Sequence, residues 1–426
     1  MKILWLKTEI LHPVDKGGKI RTYEMLRRLK RDHEVTYVSF RHSIDSQESI
    51  DQAACYADRL ITTPLESARK YSPAFYGELT RNLASSLPYA IQKYRSERMR
   101  RTIECILAGN DHDVVVCDFL TPCVNLNRKV DSPSILFQHN VESLIWERHY
   151  RTASNPVKRA FFYNQFRRMV KFEGAWLRKF DEVVAVSETD RQAMSERYGI
   201  NNVRCVPTGV DSGYFRPSPG VQQSPSELIF TGSMDYMPNE DAILYFADAI
   251  LPGIASAIDD VTLTVAGRNP TPRLQALARS NPRIRLTGAV PDIRPYLARA
   301  ACFVVPIRVG GGTRLKIFEA MSMARPIVST SLGAEGLPVS SGIHLEIADD
   351  PKAFAFHVVK LLTNARQAKS LAERARALVT EKFTWESAAA EFIRICEDVC
   401  PEAAHKRRRE GLQRRRECPE YSGGGV

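Results

Sequence analysis

The chain has 426 residues, 44% of them hydrophobic and 26% charged, which is long for one domain and comfortable for two, each with its own core. Sixty Lys and Arg against 49 Asp and Glu leave a formal charge of +11, so an anionic small molecule, anionic lipid or nucleic acid would be a fitting partner. No RNA-binding or zinc-finger motif promotes the last, and no nucleic acid is expected.

Strand-like runs at 2–7, 34–40, 113–117, 134–137 and 181–187 alternate with helical stretches, which predicts a parallel sheet covered by helices on both faces. The opening MKILWLKTEI reads as a strand, since its apolar run is too short for a signal peptide and is broken by Lys7 and Glu9. In the helical stretch 20–30, Tyr23, Leu26 and Leu29 mark an apolar face, with Arg21, Arg27, Arg28 and Lys30 as a basic remainder. Residues 155–180 carry Phe161, Phe162, Phe166, Val170, Leu177 and Phe180, and seven Lys or Arg against one acidic residue, Glu173. A core-packed helix with a basic solvated face is the simpler reading, and an amphipathic surface for anionic lipid the other. At PSPGVQQSPSE the periodicity stops, which places a linker at 218–227 between a first domain, 1–217, and a second, 228–383.

The second half repeats the theme, with strands expected at 228–233, 261–266, 284–287, 302–306, 327–330 and 344–347, and helices such as 239–250 and 271–279 between them. A last amphipathic helix, 386–399, follows Phe383, with Thr384 as its N-cap. The tail 401–426 contains HKRRREGLQRRRE and reads as a solvated, poorly ordered terminus. Nine cysteines without a CxxC pair or a Cys/His cluster suggest reduced thiols in the cytoplasm and no metal site. No run approaches the roughly 18 apolar residues of a membrane helix, so any meeting with a membrane is expected at its surface. The fold class expected is α/β: two facing, Rossmann-like, doubly wound parallel-sheet domains.

Residues of chemical character fall just past the strand ends: Gln138-His139-Asn140, Ser187-Glu188, Gly232-Ser233, Gly267-Arg268, Gly288 and the loop 310–313. Ligands of open α/β sheets bind at the carboxyl ends of strands, so in facing domains these loops would line an interdomain cleft. Gly17 and Gly18 precede a helix and fit either an anion-friendly turn or a tight βα connection; GxGxxG and Walker A are both absent. His139, followed by Asn140 and Glu142, can donate to or accept from a ligand, with a nearby carboxylate fixing its tautomer. Gly310, Gly311 and Gly312 lead into Thr313, which is expected to open a helix carrying Arg314, Lys316 and Glu319. Glycines let backbone approach a ligand and helix starts offer unpaired N–H groups, so this loop reads as a diphosphate seat. Glu319 lies three residues after Lys316 on the same side of the helix. Its carboxylate suits the paired hydroxyls of a ribose, and an intrahelical ion pair is the plainer alternative.

Taken together, GGGTRLKIFEAMSMARPIVSTSLGAEG, the Gly-Gly loop after the first strand, QHNVES, DEVVAVSETD, VRCVPTGVD, LIFTGSMDYMPNEDA, VAGR and LTGAVPDI resemble the retaining glycosyltransferases of family 4. Their order and spacing carry the likeness from residue 1 to about 399. The resemblance implies the GT-B architecture, with the first domain on the acceptor side, the second binding the nucleotide sugar, and a helix at 384–400 crossing back. It implies that Glu319 binds the nucleotide ribose and that Gly312 and Thr313 contact the diphosphate or sugar. Gly232, Ser233, Gly267, Arg268 and Val290 would lie by the nucleotide, Gly17 and Gly18 over the diphosphate, and His139 at the transferred sugar. His139 and Glu319 are thus the candidate catalytic pair.

Two departures stand out. Members commonly carry two glutamates separated by seven residues, and here the first falls at Gly311. Many also place an Arg and a Lys after the first strand of the second domain, where this chain has Ser233 to Asn239 with neither. Arg314 and Lys316 are therefore expected to supply the missing positive charge. The activity implied is retaining, metal-independent hexosyl transfer from a nucleoside diphosphate sugar, which is substrate rather than cofactor, to a saccharide or lipid-linked acceptor. Cell-surface polysaccharide or glycolipid assembly at the inner face of the membrane is the setting expected. The rivals are a sugar-nucleotide epimerase or phosphorylase on the same fold, and a non-catalytic, membrane-peripheral binding protein.

Overall fold

Val114, Val115, Val116 and Cys117 are all without exposed surface, as a parallel strand covered by helices on both faces must be. They belong to a seven-stranded sheet in a computed structural model that describes residues 1–66, 68, 72–127, 129–218, 220–310 and 314–401. Its strands are β1 (Lys2–Leu6), β2 (Glu34–Arg41), β3 (Arg59–Pro64), β4 (Val114–Asp118), β5 (Ser134–Phe137), β6 (Glu182–Ala185) and β7 (Val203–Cys205), in the order β3-β2-β1-β4-β5-β6-β7. Every pairing is parallel. The strand order reverses between β1 and β4, so their carboxyl ends form the switch point where an open sheet takes ligands.

A second sheet contains β8 (Ser224–Thr231), β9 (Thr262–Ala266), β10 (Ile284–Gly288), β11 (Ala300–Val305), β12 (Ile327–Ser329) and β13 (Glu346–Ile347), ordered β10-β9-β8-β11-β12-β13. It too is parallel throughout. Here the order reverses between β8 and β11. The chain divides into two compact units, one holding Met1–Ala185, Arg191–Val206 and the segment from Ala389 onward, the other Val186–Asp190 and Pro207–Ala388.

Several boundaries differ from the sequence reading. β3 and β7 went unread because they are edge strands of mixed polarity, with one sheet neighbour each. β8 starts at Ser224, inside the stretch read as linker. Its polar Glu227 is buried because Thr264 Oγ1 (2.6 Å) and Arg299 Nη2 (2.8 Å) donate to it, so a sequence without apolar periodicity still completes a strand. The first helix begins at Gly17 rather than Ile20, placing both glycines in its first turn. Arg21 and Arg28, read as part of a basic remainder, are buried on it, as is the preceding Lys19. Arg28 is satisfied locally by the Glu24 carbonyl and carboxylate.

The segment 155–180 forms the helix Pro156–Leu177, capped by Asn155, which accepts from the N–H groups of Val157 and Lys158. Met169, Glu173, Trp176 and Leu177 are buried, and the first turns are exposed. Glu173 accepts from Glu142 N (2.8 Å), Ser143 N (3.1 Å) and the Tyr198 hydroxyl (2.5 Å). It thereby caps the helix Glu142–Thr152 that follows β5.

The last helix, Trp385–Val399, is started by Thr384, whose Oγ1 accepts from Ser387 N (3.1 Å). Further along it, Phe392 is fully buried against Trp5 and Phe137, with ring centroids 5.5 Å and 5.2 Å away. Beyond Pro401 the basic tail lies outside the described residues. Phe392→Ala should remove about 3–5 kcal/mol from the first unit, read as a lowered thermal midpoint. A midpoint unchanged from wild type would show that the helix contributes no packing there.

Candidate functional site

In the first unit the switch point is built around one carboxylate. Asp118 ends β4 with no exposed surface. Its Oδ2 accepts from Trp5 Nε1 (2.9 Å), Lys7 Nζ (3.0 Å) and Thr22 Oγ1 (2.6 Å). Lys7 in turn donates to the Thr22 hydroxyl at 2.9 Å. Its other oxygen, Oδ1, lies 2.9 Å from His139 Nε2, off the direction of the ring N–H. Burial alone raises the Asp118 carboxyl, but Lys7, His139 and Thr22 outweigh it and hold it below the usual carboxylate range.

His139, one residue past Gln138 after β5, is 3% exposed. Burial lowers its pKa to about 3 against the pull of Asp118, so the ring is neutral near pH 7. The ring lies between Phe119 and Phe137, at centroid distances of 3.9 Å and 4.7 Å. Phe119 reaches that position with φ of +71°, a left-handed conformation that costs a non-glycine residue roughly 1–2 kcal/mol. Lys7 Nζ stands 4.4 Å from the centre of its ring. Gly18 fits beside this stack because a Cβ there would come 3.0 Å from Phe119 Cζ. The helix that starts at Gly17 has no side-chain N-cap, which leaves its first N–H groups directed at the same corner.

The sequence places Glu142 soon after His139 and leaves open which carboxylate lies beside the ring. The structure puts Asp118 there. Glu142 instead starts the next helix, where burial and Glu173 raise its pKa to about 7 and Asn140 opposes them. Asp118, Lys7, Thr22 and Phe119 were all missed. The available signal was an acidic residue closing the otherwise apolar run Val114-Val115-Val116-Cys117.

In the second unit the loops after β8, β9 and β10 are tied together by backbone bonds that continue the sheet. Gly232 N donates to Ala266 O (3.1 Å), Met234 N to Arg268 O (2.9 Å) and Gly267 N to Gly288 O (3.2 Å). A Cβ on Gly267 would sit 1.6 Å from Gly232 O, so only glycine permits this approach. Ser233 Oγ accepts from Arg268 Nε (3.0 Å) and donates to Asp235 Oδ1 (2.5 Å). Val290 lies beyond β10, half-buried.

Into this surface comes the helix Leu315–Ser322, which starts two residues later than expected, with Arg314 at its N-cap. Gly311, Gly312 and Thr313 lie outside the described residues. Gly310 has φ of +107°, and a Cβ there would approach Arg314 Nη2 to 3.2 Å and Pro238 Cγ to 3.1 Å. Lys316 Nζ donates to Asn239 Oδ1 (3.0 Å) and stands 3.9 Å from the centre of the Phe230 ring. It is also 3.0 Å from where a Gly232 Cβ would be. Lys316 therefore gives this bond to Asn239 and not to Glu319.

Lys316 and Glu319 are each half-buried. Burial, with Arg314 adding, lowers Lys316 to about 7, while Glu319 opposes. Burial raises Glu319 to about 7 against Lys316. Asn239 was not singled out in the sequence; it accepts from Lys316 and donates to Ser233 O (2.8 Å), joining the helix to the β8 loop. A cation and a carboxylate one turn apart, both poorly solvated, gain from a ligand that offers an anion and hydroxyls in the same order. Among the described residues there is no cluster of three or more His, Cys, Asp or Glu able to hold a metal.

Two family models match the chain: "Glycosyltransferase Family 4" over residues 16–214 and "Glycosyl transferases group 1" over 225–364. A phosphatidyl-myo-inositol mannosyltransferase of Mycobacterium leprae is 28% identical over 62% of this chain and 72% of its own. An uncharacterized 44.6 kDa protein in the cps region of Klebsiella pneumoniae is 21% identical over 90% and 96%. Among solved structures, HepE of Anabaena in complex with UDP and glucose superposes with a TM-score of 0.64 at 13% identity, covering 93% of this chain and all of its own. With both sheets parallel and doubly wound, the fold is GT-B, and the chain belongs to the group 1, family 4 glycosyltransferases.

Proposed function

We propose that this glycosyltransferase moves a hexose from a nucleoside diphosphate sugar to a saccharide or lipid-linked acceptor, with retention and without a metal ion. The observation that carries the donor assignment is the position of Lys316. Its ammonium lies at the carboxyl end of β8 against Gly232 and Asn239, next to the segment 233–239 that has no Lys or Arg of its own. A cation reaching there from a neighbouring helix offsets diphosphate charge as well as one borne by the β8 loop, since Coulomb attraction depends on place and not on sequence. Glu319, one turn on, would accept from the ribose hydroxyls. Arg314 at the same helix start would share the phosphate charge, and His139 would meet the transferred sugar. Retention is supported by the family, and the UDP and glucose of HepE make UDP the first nucleotide to try. The relatives in mannosyl transfer and in a cps region support an acceptor in glycolipid or capsule-type polysaccharide.

Calorimetric titration with UDP, GDP and ADP and their sugars tests the donor site. Glu319→Ala should cost on the order of 1.5–3 kcal/mol of donor binding, and Lys316→Ala and Arg314→Ala should each weaken it about tenfold or more. Unchanged affinity in both cation variants would remove the diphosphate role from this helix.

Lys316 also predicts a proton inventory. Burial holds it below its ordinary value in the free protein, so near pH 8 part of the population is neutral. An arriving diphosphate favours the charged form, and binding should take up a proton. Enthalpies measured in two buffers of different ionisation heat would reveal the uptake, and Lys316→Met should abolish it. Net release at that pH would contradict the assignment.

We further propose that anionic membrane contacts the first turns of the helix Pro156–Leu177, where Val157 and Tyr163 are exposed beside Lys158, Arg159 and Arg167. The protein should cosediment with phosphatidylglycerol vesicles, and Lys158→Glu with Arg159→Glu should reduce the bound fraction several-fold. Equal sedimentation with neutral vesicles would show that charge plays no part.

A further inference from the structure

Asp118 carries more hydrogen-bond donors than holding a strand end requires, and they are distributed unevenly. Trp5, Lys7 and Thr22 all donate to Oδ2, which leaves Oδ1 facing His139 Nε2 at 2.9 Å. His139 is enclosed by Phe119 and Phe137, so the ring has little room to turn away. Neither ring nitrogen makes a well-directed hydrogen bond among the described residues; Nε2 is the one beside the carboxylate, and Nδ1 lies 4.0 Å from where a Cβ of Gly18 would be. That side is the uncapped helix start.

We propose that Asp118 is a positioning residue that keeps the His139 ring proton on Nε2 and presents Nδ1 as a bare acceptor toward the Gly17–Gly18 turn. The proposal rests on the reading of His139 as a contact of the transferred sugar. A neutral imidazole shares one proton between two nitrogens, and a carboxylate beside one of them decides which nitrogen keeps it. Burial keeps the ring neutral, so it has no second proton to offer. A bare Nδ1 accepts from a sugar hydroxyl and repels a phosphate oxygen, which has lone pairs and no proton. His139 thus selects a hydroxyl at this corner and leaves phosphate to the N–H groups and cations. Phe119, bent into a left-handed conformation to lie on the ring, and Lys7, which keeps Asp118 ionised, serve the same arrangement.

The test is the 15N spectrum of the labelled full-length protein without donor, with His139 assigned by its loss in His139→Gln. A ring proton on Nε2 and a bare Nδ1 are expected, and a proton on Nδ1 overturns the proposal. Asp118→Asn sharpens it. The amide oxygen is drawn to the Oδ2 position by Trp5, Lys7 and Thr22, so its NH2 faces Nε2 and the proton should move to Nδ1. With the tautomer reversed, kcat should fall about 10²-fold while affinity for the bare nucleoside diphosphate stays within about twofold. A switched proton with unchanged kcat would overturn the positioning role. Should Asp118→Asn fail to fold, the wild-type spectrum still decides the tautomer. Failure of the donor assignment is separable, because it appears as unchanged nucleotide affinity in Glu319→Ala and leaves the donor-free spectrum unaffected.

Discussion

A carboxylate with no exposed surface at the end of an apolar strand has to be neutralised where it stands, and in the first unit that need organises the corner around it. Asp118 is balanced by Lys7 from the neighbouring strand end, by Thr22 from the first helix and by the Trp5 indole from within the sheet. Trp5 and Lys7 come from β1 and its end and Thr22 from the first helix, so the network joins β1, β4 and the first helix at the point where the strand order reverses. His139 then stands beside a fixed negative charge between two aromatic rings, a setting that restricts both its protonation and its rotation. The cost of one buried ion is thereby converted into a defined orientation for the group that follows.

The second unit meets a related problem with different parts. Its loops are held by backbone hydrogen bonds that extend the ladder past the strands, and the contact between Gly267 and Gly232 is close enough to exclude any side chain. Asn239 links the β8 loop to Lys316. The amino group is consequently held in place before any anion arrives, and less rearrangement is left to occur on binding.

Much of the architecture was legible. Alternating strand-like and helical stretches announce a parallel sheet, because apolar strands such as Val114-Val115-Val116-Cys117 and Cys302-Phe303-Val304-Val305 have no polar face to give to water. The cap at Thr384 was readable from residue type alone. β3 and β7 were not, because an edge strand has only one neighbour and needs less apolar surface. Glu227 shows the converse, a polar residue accepted into a strand because Thr264 and Arg299 stand beside it, a fact no local pattern contains. The buried Arg21 and Arg28 defeated a rule that places cations in solvent, since long stems pack against apolar surface.

By itself the sequence determined the family, the two-sheet plan and the short list of residues past the strand ends, because hydrophobic period and glycine placement act over a few residues. Only the tertiary structure decided how those residues pair. It put Asp118 rather than Glu142 beside His139, and it brought Lys316 to Gly232 and Asn239, some eighty positions away along the chain. Charges respond to distance through space in a poorly polarisable medium, and that distance exists only once the sheets have formed.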